Sequence, residues 1–253
     1  MQLQLIRNAT VLLRYAGHAL LVDPMLGARH TLPSFAGQEA NPTADLPFPA
    51  EQVVAPAELA LISHLHPDHY DGAAARLLPR ELPLVCRAGD EEVLRSDGFQ
   101  QVTPLSTAIT WHGIQIQPAP GRHGSGPILD RMGEVTGVVL RAAGEPTVYW
   151  AGDTVLYEEV LGTIASVQPD VIVTHSGGAA FGGTLIIMDA QQTLEVARAA
   201  PQATVVATHL EALDHCATTR QMLRDAATAA GISSTRLRLP QDGEALTLEA
   251  ARA

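Results

Sequence analysis

The sequence predicts an α/β protein with two strand-rich halves, each accompanied by helices, at roughly residues 1–125 and 135–253. The chain has 253 residues, about the upper size for one hydrophobic core, so we expect a single domain spanning residues 1–253. Apolar residues make up 46% of the chain and fall in short runs typical of buried strands. None of these runs reaches the roughly 20 residues that a membrane-spanning helix requires.

The first half is predicted to begin with strands and to continue as alternating strands and helices. Strands are predicted over residues 3–7, 10–15, 19–24, 59–62, 84–86, 101–102, 108–111 and 114–117, and helices over residues 70–79 and 90–96. Residues 25–57 are rich in proline and have few periodic apolar positions, which predicts a long loop. A loop of this length is usually functional or a lid, and an interface arm is the alternative.

The second half is predicted to alternate strands with longer helices. Strands are predicted over residues 135–142, 146–150, 170–175, 203–209, 237–239 and 245–248, and helices over residues 156–165, 189–200 and 216–230. Asp189 is expected to cap the second of these helices. The glycine-rich, apolar residues 179–188, which precede this helix, predict a loop on the substrate side.

Four side chains that bind metals follow the predicted strand over residues 59–62. His64, His66, Asp68 and His69 occupy six consecutive positions where this strand ends. Imidazole and carboxylate groups bind zinc, manganese and iron, and a loop with four of them can hold one ion or two. Burial of these groups together without a cation would be costly, so the motif favours a metal site over ordinary core histidines.

Further candidate ligands stand at the ends of later strands. His123 lies among glycines after one strand, Asp153 follows Gly152 after another, and His209 ends a third. An uninvolved loop histidine is the alternative for His123, and a helix N-cap is the alternative for Asp153. His215 is the alternative to His209, and Glu211 and Asp214 are further alternatives nearby.

His175 also ends a predicted strand, so we expect it at the edge of the active site. A substrate contact or proton donor is one interpretation of this position, and a role that supports a ligand from behind or packs in the core is the other. Arg122 and Arg131 are the candidates for contact with an anionic substrate, and ordinary surface positions are their alternative.

Charge and cysteine content limit the expected partners. The formal net charge is −11, and all 16 basic residues are arginine. An acidic chain without basic clusters argues against nucleic acid and favours a small-molecule substrate. Cys86 and Cys216 predict two free thiols in a cytoplasmic protein, and the N-terminal residues show no secretory signal. We expect no membrane partner, and the sequence leaves open whether the protein forms a homo-oligomer.

The order of these motifs resembles the metallo-β-lactamase superfamily. The pattern His64-x-His66-x-Asp68-His69 is similar to the most specific motif of that superfamily, and His123, Asp153 and His209 follow in the matching order. The resemblance implies a four-layer αββα sandwich. It also implies that Asp23, in the Asp-Pro pair that ends an early strand, supports the metal loop, with an ordinary strand-end turn as the alternative.

The resemblance assigns a role to each candidate ligand. His64, His66 and His123 would bind one divalent ion, Asp68, His69 and His209 would bind a second, and Asp153 would bridge the two ions. Zinc is the expected metal, with manganese and iron as alternatives. Asp68 and His175 are the residues expected to take part in catalysis, Asp68 by orienting the water or carrying its proton.

The resemblance implies a hydrolase that uses a metal-bridged hydroxide on a small ester, lactone or phosphoester. The early hairpin and the Gly-Gly loop are similar to the small bacterial branch that contains ascorbate-6-phosphate lactonase. A mononuclear iron oxygenase similar to sulfur dioxygenases, and a phosphodiesterase for RNA or cyclic nucleotides, are alternatives. A non-catalytic binding protein that retains the fold is a third.

Overall fold

Two seven-stranded sheets form the centre of the molecule in the computed structural model, which describes residues 1–250. The first sheet contains β1 (Gln2–Arg7), β2 (Thr10–Tyr15), β3 (His18–Val22), β4 (Leu59–Ile62), β5 (Leu84–Arg87), β6 (Val102–Leu105) and β16 (Ala245–Thr247). Their order across the sheet is β16-β1-β2-β3-β4-β5-β6. Strands β16, β1, β2 and β3 pair antiparallel, whereas β3 to β6 pair in parallel.

The second sheet repeats this combination of an antiparallel and a parallel part. It contains β7 (Ile109–Trp111), β8 (Ile114–Pro120), β9 (Thr136–Arg141), β10 (Val148–Trp150), β11 (Val171–His175), β14 (Thr204–Thr208) and β15 (Leu237–Arg238). Strands β7 to β10 pair antiparallel, and β10, β11, β14 and β15 pair in parallel. A separate two-stranded hairpin joins β12 (Ala180–Phe181) and β13 (Thr184–Leu185).

Helices cover the outer face of each sheet. The first sheet carries α1 (Ala50–Val54), α2 (Gly72–Leu77) and α3 (Glu91–Ser96), and the second carries α5 (Glu158–Val167), α6 (Ala190–Ala199) and α7 (Arg220–Ala229). A 3-10 turn (Gly126–Ile128) leads into the short helix α4 (Leu129–Met132) between β8 and β9.

The side-chain alternation along the strands produces the layers. Leu13 and Val206 lie in the core between the two sheets, whereas their neighbours Leu12 and Val205 pack beneath the helices. Strands β2 and β14, which contain these residues, are therefore buried on both faces. This is expected for sheets that are covered by helices on one side and by a second sheet on the other. The four layers confirm the predicted αββα sandwich.

The chain leaves the first sheet after Leu105 and enters the second sheet at Ile109, and β16 near the end of the chain returns to the first sheet. The predicted division into halves at residues 1–125 and 135–253 stays a prediction. Residues 251–253 of the predicted domain lie outside the described residues. Within residues 1–250, no helix is both long and apolar enough to span a bilayer.

Several element boundaries differ from the predicted ones for local reasons. The predicted helix over residues 216–230 begins only at Arg220, because the Thr219 side chain caps it by accepting from the Met222 N–H. Asp189 caps α6 as predicted. The predicted loop over residues 25–57 contains α1, and the expected glycine-rich loop contains the hairpin β12–β13.

Candidate metal centre

The candidate ligands meet at one edge of the sandwich. The segment 64–69 follows β4, His123 follows β8, Asp153 follows β10, His175 ends β11 and His209 follows β14. In the second sheet β8, β10, β11 and β14 run in the same direction, so their carboxyl ends lie along one edge. Five chain segments that are distant in sequence thereby supply side chains to one centre.

Two groups of ligand atoms form at this edge. The first group comprises His64, His66 and His123, and the second comprises His69, Asp153, His175 and His209. Within each group the candidate ligand atoms all lie within 4.8 Å of one another. Two adjacent groups of three and four donors have the composition of a dinuclear site.

Asp153 lies between the two groups. Its Oδ2 atom is 3.2 Å from Nε2 of His69 in the second group, and 3.5 Å and 3.9 Å from Nε2 of His123 and His64 in the first. This placement fits the predicted bridging role. Asp153 does not cap a helix, because α5 begins at Glu158 with Tyr157 as its N-cap residue, so that alternative is wrong.

Asp68 lies beside the second group and contacts two of its histidines. Its Oδ2 atom lies 3.2 Å from Nε2 of His209 and 3.5 Å from Nε2 of His69. The Asn8 side chain donates to the Asp68 carbonyl oxygen at 3.1 Å, and the Asn8 carbonyl accepts from the His209 N–H at 2.9 Å. The turn between β1 and β2 thus ties the first metal motif to the last one.

Four histidines point Nε2 inward because a partner holds their Nδ1. These pairs are His64 with Ser63 Oγ at 3.1 Å, His69 with Asp23 Oδ2 at 3.0 Å, His123 with the Ile186 carbonyl at 2.7 Å, and His209 with Cys216 Sγ at 3.6 Å. An outer partner of this kind fixes the ring orientation and tautomer of a metal ligand. Asp23 thus supports the metal loop, as predicted, through its contact with the His69 ring. The supporting roles of Ser63, Ile186 and Cys216 were not predicted from the sequence.

The donor set fits divalent ions. Among residues 1–250, the buried Nε2 atoms of His64 and His69 have no hydrogen-bond partner, although buried polar atoms are normally paired. Burial and the neighbouring His69 lower the pKa of His64 well below its usual value, which keeps its lone pair free. Although burial alone would raise it, His69 and His209 hold the pKa of Asp153 well below its usual range, so the carboxylate is ionised.

His175 is placed behind Asp153 rather than beside the substrate space. Its Nδ1 atom lies 2.6 Å from Asp153 Oδ1, and its ring meets Trp150 edge-on at 5.7 Å. The side chain is fully buried and is absent from the described residues that line the cavity over the centre. Its predicted role as substrate contact or proton donor stays a prediction, and the contacts favour a ligand or a support for Asp153.

A cavity of about 280 Å³ opens above the two groups. Its floor contains His66, Asp68, His123, Asp153 and His209, and its apolar walls contain Phe35, Met132, Ala179, Phe181 and Ile186. Arg131 and His215 also line it. His215 belongs to neither ligand group within residues 1–250, which favours His209 over its alternative.

The two arginines expected to contact an anion have different positions. Arg131 lines the cavity with its guanidinium 3.9 Å from the centre of the Phe181 ring. Arg122 instead stacks on Tyr157 at 4.1 Å and lines a neighbouring groove. Phe35 and Phe181 were not predicted as site residues, because an apolar side chain in a loop carries no chemical signal in a single sequence.

Comparison with known proteins gives consistent similarities. A family model described as a beta-lactamase superfamily domain matches residues 18–210. UPF0173 protein YddR of Bacillus subtilis is 34% identical, over 98% of this chain and 100% of its own length. Several more distant relatives are named UPF0173 metal-dependent hydrolase.

Two solved structures are similar along the whole chain. A possible metal-dependent hydrolase from Veillonella parvula has a TM-score of 0.94 and 32% identity, covering 98% of this chain and 99% of that one. An isothiocyanate hydrolase from Delia radicum gut bacteria has a TM-score of 0.92 and 32% identity, covering 99% and 100%.

Proposed function

The chain belongs to the metallo-β-lactamase superfamily, within its UPF0173 family of metal-dependent hydrolases, and we propose that it hydrolyses small neutral electrophiles with an apolar substituent, isothiocyanates first among them. The observation that carries this proposal is that Phe35, Phe181 and other apolar side chains line the same cavity of about 280 Å³ as the candidate ligands. The 32% identity with an isothiocyanate hydrolase along both chains supports the same substrate class.

The cavity matches a small substrate with two different ends. The floor presents carboxylate and imidazole groups, which suit a reacting carbon and a water molecule, whereas Phe35 and Phe181 suit an apolar substituent. An isothiocyanate, R–N=C=S, has a compact electrophilic carbon and no charge. Burial of its R group against the aromatic rings would provide binding free energy without a charged anchor.

The donor set indicates which residues would hold metal ions. His64, His66 and His123 would hold one ion, Asp68, His69 and His209 a second, and Asp153 lies where both can share it. Divalent ions in such a site supply a water of lowered pKa and polarise the electrophile. We infer two ions, with zinc as the first candidate and manganese or iron as alternatives.

The reaction needs one water molecule and two proton movements. Bond formation between the water oxygen and the central carbon, with a proton placed on nitrogen, gives the thiocarbamic acid R–NH–C(=S)–OH. Cleavage of its C–N bond, with the hydroxyl proton moving to nitrogen, releases the amine and carbonyl sulfide. Of the two carboxylates on the cavity floor, Asp153 is assigned to the metal ions, and we assign to Asp68 the orientation of the water and the transfer of its proton.

An anionic ester is the second candidate substrate, because one specific contact favours it. Arg131 places a cation at the cavity wall, where it could pair with a phosphate. This candidate corresponds to the predicted similarity to ascorbate-6-phosphate lactonase, which stays a prediction. A content of about two equivalents of metal separates both hydrolases from a mononuclear iron oxygenase, which would contain about one equivalent of iron. Membership of a family of metal-dependent hydrolases leaves the non-catalytic alternative without support.

The test is hydrolysis of benzyl isothiocyanate by protein reconstituted with zinc or manganese, followed as release of benzylamine. The matched pair of variants is His64→Ala, in the first ligand group, and His112→Ala, at an exposed hairpin turn outside the residues that line the cavity. We expect His64→Ala to lose metal and activity and His112→Ala to retain both. Turnover of lactones or phosphodiesters with no amine release would replace the isothiocyanate proposal by the second candidate.

A further inference from the structure

We propose that the loop over residues 31–41 sets the size limit for the non-reacting substituent of the substrate, with Phe35 as the selecting wall and Asp214 as the residue that holds this wall in place. The inference rests on the proposed function, because it assumes that the apolar side of the cavity receives that substituent. It assigns a role to the predicted lid segment and to a carboxylate that no catalytic step uses.

Asp214 collects the polar groups of the loop around one carboxylate. It accepts hydrogen bonds from the Ser34 hydroxyl, from the backbone N–H groups of Phe35, Ala36, Gln38 and Glu39, and from the Asn41 side chain. The distances from the backbone nitrogens to the carboxylate oxygens lie between 3.0 and 3.3 Å, and the Asn41 side-chain nitrogen lies 2.9 Å from Oδ1. Although burial alone would raise it, hydrogen bonds from Ser34 and Asn41 lower the pKa of Asp214, so the carboxylate stays ionised.

Asn41 locks the far end of the loop to the same segment. Its side-chain oxygen accepts from the Asp214 N–H at 2.8 Å, and its amide donates to the Pro33 carbonyl at 3.1 Å. Beyond it, the Thr43 N–H donates to the Ala212 carbonyl at 2.8 Å. The loop is therefore fastened to the segment after His209, and its position is fixed relative to the candidate metal centre.

Phe35 extends from this fastened loop into the cavity. Its ring meets His215 edge-on with 5.2 Å between centroids, and both side chains line the same space as Asp68 on the floor. Phe181 also lines the cavity, and the Arg131 guanidinium lies over its ring at 3.9 Å. A substituent bound above the floor would meet the Phe35 ring, so truncation or enlargement of this ring should change which substituents fit.

The experiment measures selectivity as a ratio. We compare kcat/KM for methyl, allyl, benzyl and naphthylmethyl isothiocyanate in the wild type, Phe35→Ala and Phe35→Trp. For Phe35→Ala we expect the benzyl-to-methyl ratio to fall about tenfold or more and the naphthylmethyl-to-benzyl ratio to rise. For Phe35→Trp we expect the naphthylmethyl-to-benzyl ratio to fall. Unchanged ratios in both variants would overturn the proposal.

Asp214→Asn tests the positioning role. The amide retains one acceptor oxygen but loses the charge and several of the hydrogen bonds, so the benzyl-to-methyl ratio should shift in the same direction as in Phe35→Ala. The matched control is Asp225→Asn, an exposed carboxylate on α7 whose partner is Gln221. Phe35→Leu and circular dichroism distinguish a change of selectivity from misfolding. If the ratio of Asp214→Asn equals that of the control, Asp214 has no positioning role.

A failure of the proposed function is recognised separately. If the wild type releases no amine from any isothiocyanate, the substrate class is wrong, and the loop is then tested by calorimetric binding of N-benzylthiourea and N-methylthiourea to the metal-loaded protein. A preference for the benzyl compound that falls in Phe35→Ala and Asp214→Asn supports the loop as selector. No benzyl preference in the wild type, or the same preference in the variants, overturns it.

Discussion

The Nδ1 atom of His69 lies 3.0 Å from Oδ2 of Asp23, a residue 46 positions earlier in the chain. Asp23 also accepts from the Ser63 N–H at 2.7 Å and from the Ser63 hydroxyl at 2.8 Å. One fully buried carboxylate at the end of β3 therefore fixes both the start of the metal loop and one of its candidate ligands.

We expect Asp23→Asn to weaken metal binding by about 10- to 100-fold, because Oδ1 accepts from the Ser63 N–H and Oδ2 accepts from the Ser63 hydroxyl and His69, whereas an amide has only one acceptor oxygen and would turn its NH2 group toward one of these donors. The measurement is a competition titration of zinc against a chromophoric chelator. Asp130→Asn, which changes an exposed carboxylate on α4, is the control and should bind zinc as the wild type does. Equal affinities of the two variants would contradict the role of Asp23.

The choice between His209 and His215 as ligand can be decided by metal stoichiometry. His209 lies in the second ligand group, whereas His215 lines the cavity and contacts Phe35. We expect His209→Ala to lose about one equivalent of metal and His215→Ala to keep both, because only the first change removes a donor atom. Elemental analysis after dialysis measures this, and loss of metal in His215→Ala alone would reverse the assignment.

The sequence was most informative where chemistry and strand ends coincide. The motif from His64 to His69 could be identified because it places four metal-binding side chains within six positions directly after an apolar strand. The later candidates could be identified because each lies at the end of a predicted strand. The layered fold followed from short buried strands together with the family resemblance. Both features depend on local patterns that one sequence contains.

The parts that could not be predicted depend on contacts between distant segments. Cys216 and the Ile186 carbonyl orient His209 and His123, yet neither the thiol nor a backbone carbonyl is marked by its neighbours in sequence. Asp214 likewise acts through N–H groups that lie more than 170 positions away. Only the folded backbone brings these partners together.

The two ligand groups should differ in their pH dependence of metal binding. Burial lowers the pKa values of His64 and His66 in the first group. In the second group, although burial alone would lower them, Asp153 together with Asp68 raises the pKa of His69 to about 10 and that of His209 well above its usual value. Protons therefore compete with metal at His69 and His209 near neutral pH, and less so at His64 and His66.

We expect metal occupancy to fall in two steps as the pH is lowered. A ligand with a raised pKa must release its proton to bind metal, so the affinity of the second group falls as pH decreases below about 10. The first group, in which burial lowers the pKa values of His64 and His66, should retain its metal to lower pH. Zinc titrations at several pH values, in buffers of different ionisation enthalpy, measure affinity and proton release together. Simultaneous loss of both ions with no proton release would contradict this difference.

Gly177 and Gly162 form a pair of glycines with opposite expected responses to alanine. A Cβ atom at Gly177 would overlap the His209 carbonyl oxygen and lie 2.8 Å from Cys216 Sγ, whereas a Cβ atom at Gly162, inside α5, meets no atom of residues 1–250 within 4 Å. We expect Gly177→Ala to lower the free energy of unfolding by about 1–3 kcal/mol and to weaken zinc binding by displacing His209. Gly162→Ala should raise the free energy of unfolding by about 0.5–1 kcal/mol, because alanine favours a helix. Urea denaturation of the metal-free and zinc-loaded proteins measures both effects, and a Gly177→Ala variant as stable as Gly162→Ala would show that the segment after β11 is free to move away from His209.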